Sequence, residues 1–232
     1  MRIFGVWFAL FGSFLVASAQ DTVWATQALQ VLCSQDFAGR GYVDHGQEKA
    51  ANWLLNEFKQ SKIAKATTQN FKLPVISFPG SQVLKADEEV LSLGYTWLPQ
   101  ADCPPISGYF TPILIDSSFM NRNTTVSEKI KEFQKQKNPV FLVDEQVTKL
   151  FIPIAVQYQW PVIILTKNPL LWTVEQNYTP IPVAKWVVDD HWNMPKKIYW
   201  TTESVLKKHT FQNVMAYLPG TSDSMMVITA HF

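Results

Sequence analysis

The 232-residue chain sets 20 Lys and Arg against 19 Asp and Glu, and 47% of its residues are hydrophobic, with 15 Phe and 9 Trp among them. Near-neutral charge argues against electrostatic capture of nucleic acid or anionic lipid as the main role. The apolar content excludes a disordered chain, and the length suits one domain or two small ones.

The amino-terminal segment reads as an address. Arg2 is followed by an apolar run from Ile3 to Val16 and by Ala17-Ser18-Ala19, the small-x-small pattern of a signal-peptidase site. Cleavage after Ala19 is predicted, leaving Gln20 at the new terminus and a secreted or periplasmic protein. The run is shorter than the roughly 20 residues of a spanning helix, and no other segment is apolar enough to cross a bilayer.

Residues 22–33, TVWATQALQVLC, place Trp24, Ala28, Leu29 and Leu32 at helical spacing, which predicts a short amphipathic helix. The glycine-rich stretch SQDFAGRGYVDHG (34–46) reads as a structured loop. Asp44 and Gln47 have the spacing of a capping box, and QEKAANWLLNEFKQ (47–60) then aligns Ala51, Leu54, Leu55 and Phe58 on one face of a second helix.

From Phe71 onward short apolar runs alternate with proline and glycine: FKLPVISF, PILIDSSF, PVFLVDE, FIPIAVQY, WPVIILT and PIPVAKWVV. Their length and Val, Ile and Phe content predict strands. TVSEKIKEFQKQ (125–136) has helical spacing at Val126, Ile130 and Phe133, and TKLFIPIAVQYQ fits either a short helix or a strand. These patterns predict a β-rich unit with its own core over 75–188. The final segment alternates apolar and polar residues, crosses the turn LPGTSDS and enters MMVITA, which reads as a strand buried on both faces and ending at His231.

Three stretches in this order, LCSQDFAGRGYVDHGQEKAANWLLNEFK (32–59), FQNVMAYLPGT (211–221) and MMVITAHF (225–232), resemble the opening of the exported di-zinc aminopeptidase family. That family includes relatives of glutamate carboxypeptidase, the transferrin receptor ectodomain and the secreted glutaminyl cyclases. The middle of the chain, ending in PIPVAKWV, is similar to the protease-associated domain that many members carry as an insert. The resemblance implies an α/β fold: the start of a mixed-sheet zinc peptidase domain, over 20–74 and 189–232, interrupted by a β-rich protease-associated-like insert over 75–188.

It also implies two zinc ions acting on peptide or protein substrates. His231 matches the first metal ligand of the family's Ala-His-x-Asp and Phe232 the intervening residue. The bridging Asp, the general-base Glu and the other ligands are expected further along, so the resemblance implies the amino-terminal portion of such an enzyme, with an incomplete site. Two rival readings share the fold: a one-zinc glutaminyl cyclase and a non-catalytic, receptor-like binding ectodomain.

The remaining chemistry-bearing residues read as structural. His45 lies in the glycine loop, His209 in a Lys-Lys-His run, and Asp189-Asp190-His191 reads as a solvated loop, since adjacent residues do not converge on one ion without a special turn. Serines in GTSDS lack the strand-turn-helix setting of a nucleophile elbow. Arg40 suits a buttress for the loop better than a substrate contact. Cys33 and Cys103 leave one disulfide open, the alternative being a buried unpaired Cys33 and a loop Cys103. The sequons at Asn123 and Asn177 would mark exposed loops in a host that glycosylates exported proteins.

Overall fold

The computed structural model describes residues 21–61, 65–120 and 126–232. The leader over 1–19 and the sequon at Asn123 lie outside the described residues. The chain divides into two units, one formed by Met1–Phe71 with Phe211–Phe232 and the other by Lys72–Thr210. The sequence reading set these boundaries at 74/75 and 188/189; the division falls at 71/72 and 210/211.

The first unit holds α1 (Thr22–Leu32) and α2 (Gly46–Gln60), with a loop of 3-10 turns between them. Asp21 caps α1, its Oδ1 accepting from the Trp24 amide at 2.9 Å, and the Trp24 indole N–H donates to Glu57 Oε2 on α2 at 3.2 Å. The predicted capping box does not form. Asp44 and His45 both take left-handed backbone angles, φ 48° and 59°, so the helix starts at Gly46 without a side-chain cap. The Gln47 amide donates instead to the Gly41 carbonyl at 2.7 Å. Gly46 is required here by close approach, because a Cβ would sit 2.2 Å from the Phe37 carbonyl oxygen.

Little of this unit is inside. Ala28, Gly46, Ala50 and Ala51 are its buried residues among those described, while Trp24 and Leu29 on the predicted apolar face of α1 are exposed.

Two long strands, β1 (Lys65–Ser77) and, closing the fold, Val205–Tyr217, pair as a two-stranded ribbon. Gln69 bonds Asn213, and Phe71 stacks on Phe211 at 5.9 Å, an opposite order along the two strands that makes the ribbon antiparallel. Each strand passes from one unit to the other, at 71/72 and at 210/211.

The second unit is built on an eight-stranded mixed sheet. Its strands are β2 (Gln82–Ala86), β3 (Glu89–Val90), β4 (Trp97–Pro99), β5 (Ile106–Ile115), β6 (Pro139–Asp144), β7 (Val162–Thr166), β8 (Val183–Val187) and β9 (Ile198–Thr202), the ribbon's second strand being β10. They lie in the order β3-β2-β9-β5-β6-β7-β8-β4, with β5 to β8 parallel and the remaining pairs antiparallel. Helix α3 (Val126–Phe133) connects β5 to β6, and α4 (Thr148–Tyr158) connects β6 to β7.

Both faces of the parallel strands are covered, which explains their continuous apolar runs. Val140 and Leu142 of β6 join Leu84, Trp97, Ile163, Trp186 and Trp200 in one core. The alternate residues, Phe141 and Val143, join Phe151, Trp160, Val162 and Ile164 in the other. FIPIAVQY, grouped with the strands by its composition, is helical in α4 despite Pro153, and buries Phe151 and Ala155. Strand β9 lies inside the sheet between β2 and β5, with Ile198 and Trp200 fully buried, which holds residues 198–202 in this unit.

The largest departure from expectation is the end of the chain. Residues 218–232 form neither helix nor strand, and Met225, Met226, Val227 and Ile228 are 72–86% exposed. A strand needs neighbours to take up its backbone N–H and C=O groups, and MMVITA has no pairing partner among the described residues.

Candidate functional site

His231, the predicted metal ligand, is exposed in this extended segment, with Phe232 half-buried beside it. A catalytic zinc takes about three protein ligands and keeps a position open for water. Among the described residues no three His, Cys, Asp or Glu side chains come together as a metal site. By itself the imidazole of His231 is one donor where such a centre needs about three.

The other histidines are separately engaged or solvated. His45 is exposed and lies 3.1 Å from Glu48 through Nδ1. His191 is exposed, and its amide donates to Asp189 Oδ1 at 2.8 Å, so Asp189-Asp190-His191 is a turn with the carboxylate turned onto its own backbone. His209 on β10 faces Ser77 on β1, Nε2 to Oγ 3.0 Å. Partial burial, with Lys207 nearby, lowers its pKa below the usual imidazole value.

Arg40 adopts φ 59° with a half-buried side chain. GTSDS is an exposed bend in which the Ser224 amide donates to Ser222 Oγ at 3.3 Å. Asn177 is exposed. The cysteines are unpaired; Cys33 is exposed rather than buried, while Cys103 lies in the expected loop, between β4 and β5, and is buried there. Burial pushes the Cys103 thiol up to about 12, because a thiolate in apolar surroundings lacks solvation.

The second unit has a cleft of about 530 Å³ where β5, β6, β7 and β8 end at their carboxyl termini. Leu114, Leu165, Val188 and Trp192 give it apolar wall, and Asp116, Asp144, Glu145, Asp189 and Asp190 give it carboxylates. These acids are part of the local architecture. Asp116 Oδ1 accepts from the Ser118 amide at 2.9 Å and Asp144 Oδ1 from the Gln146 amide at 3.0 Å, each pinning the turn that leaves its strand. Bonding to Ser118 holds the Asp116 carboxyl below the usual range.

Glu145 Oε2 accepts from the buried Thr166 hydroxyl and from Asn168 Nδ2, both at 2.8 Å. Asp190 pairs with Lys167 on the surface. Sequence reasoning passed over this convergence. Its signal is positional: Asp144 is the last residue of β6, and Asp116 and Asp189 follow β5 and β8 within two residues, and only the parallel pairing brings those strand ends side by side.

No protein-family model matches the sequence, and no curated protein matches it. Solved structures do. The aminopeptidase from Aneurinibacillus sp. strain AM-1 superposes with a TM-score of 0.51 over 88% of this chain, at 13% identity. Over that span the fold is similar to that of this solved aminopeptidase.

A peptidase M28 precursor from Shewanella amazonensis SB2B is also similar, with a TM-score of 0.47 over 84% of this chain at 11% identity. The chain spans about half the length of either solved protein, 49% of the first and 53% of the second. At 13% identity the likeness to the Aneurinibacillus structure is one of fold, and it agrees with the mixed α/β architecture that the resemblance implies.

Proposed function

We propose that this chain is the amino-terminal portion of an exported zinc-dependent aminopeptidase whose second unit is a protease-associated-like insert. The observation that carries this reading is the fold likeness to the Aneurinibacillus aminopeptidase across 88% of the chain. The blocks at 32–59, 211–221 and 225–232 give it independent support from sequence. In this reading His231 is one ligand of a zinc site, and the other ligands and the general base come from polypeptide following Phe232 in the complete enzyme. Peptides or proteins are the substrates.

Export is supported by the leader pattern over 1–19, and no helix among the described residues is long and apolar enough to cross a membrane. Balanced charge speaks against a nucleic-acid partner.

The residues present carry no catalytic step by themselves. The purified chain, supplied with zinc and an aminoacyl-nitroanilide, is expected to release no nitroaniline. Zinc-dependent turnover that disappears in His231→Ala would place a complete site within these residues and overturn the reading. The reading of a larger enzyme is tested separately, by sequencing the transcript beyond the Phe232 codon. An Asp as the next residue, followed by a Glu pair and a distal His, supports the peptidase. A continuation without those ligands supports the receptor-like ectodomain instead.

A further inference from the structure

We draw no further inference here: the strongest candidate, the cleft of about 530 Å³ at the carboxyl ends of the parallel strands in the second unit, takes its chemistry from a cluster of acidic side chains already engaged in the local turns, and nothing in the structure shows a ligand for it.

Discussion

Cys103 and His209 show how single side chains tie this fold to its solution conditions. Cys103 has its thiol pushed up to about 12 by burial, so between the unfolded thiol value near 9 and 12 the native chain keeps a proton that the unfolded chain has lost. Stability therefore falls as pH rises through that window, by about 1.4 kcal/mol per pH unit for one proton. In native buffer near pH 8 a thiol reagent is expected to titrate Cys33 alone, and both cysteines after denaturation. Two rapidly reacting thiols in the native chain would contradict the buried placement.

His209 works in the opposite direction along the pH scale. Its pKa is lowered by burial and by Lys207, so the unfolded chain binds the proton more readily. The contribution is present above the unfolded value near 6.5 and is lost as pH falls through the lower native value. Urea midpoints measured from pH 7.5 to 5 are expected to drop more steeply for the parent chain than for His209→Gln. Parallel curves would show that this imidazole is not coupled to folding.

At the level of elements, β6 feeds both cores, as β7 and β8 also do. Phe141 is fully buried, with ring contacts to Phe133, Phe151 and Trp160 at centroid distances of 4.7–5.3 Å. Phe141→Ala is expected to destabilise the second unit by about 3–5 kcal/mol. Chemical denaturation followed by tryptophan fluorescence checks this, and a loss below about 1 kcal/mol would show that the cavity collapses freely.

The same strand explains what the sequence discloses and what it withholds. PVFLVDE and WPVIILT are legible because burial on both faces demands an unbroken apolar run, and QEKAANWLLNEFKQ because one face of a helix repeats every three to four residues. FIPIAVQY is equally apolar yet helical: α4 buries only Phe151 and Ala155, in one of the two cores, and apolar residues on its outer side blur the period that would tell a helix from a strand.

MMVITA misleads for the opposite reason. Its composition is that of a central strand, but a strand is a property of pairs, and pairing is absent from the described residues. The acidic cleft stayed hidden because its members are far apart in sequence, from Asp116 to Asp190, and meet only through the order of the parallel strands. Zinc ligation shows the limit of local reading. A sequence block can nominate His231 as one ligand, whereas a metal centre is a constellation of several.

For the whole molecule, the decisive contrast is between a unit with two hydrophobic cores and a unit whose buried residues, among those described, are three alanines and a glycine. Residues 72–210 are contiguous and contain every strand of the eight-stranded sheet. Expressed alone, this segment is expected to fold and to unfold cooperatively in urea, with a midpoint within about 1 M of its value in the full chain. A segment that is protease-sensitive and lacks a cooperative transition would show that its core depends on the flanking sequence.

The antiparallel ribbon gives the molecule a particular genetic grammar. Because the chain leaves the first unit along β1 and re-enters it along the neighbouring strand, the two splice points, Phe71 and Phe211, are ring-to-ring neighbours. Excising everything between them leaves two strand ends that a two-residue Asn-Gly turn can rejoin as an ordinary hairpin. A whole folded body can thus enter or leave the gene at one place without redirecting the strands on either side, as a parenthesis enters a sentence. Another domain with closely spaced termini could occupy the same slot.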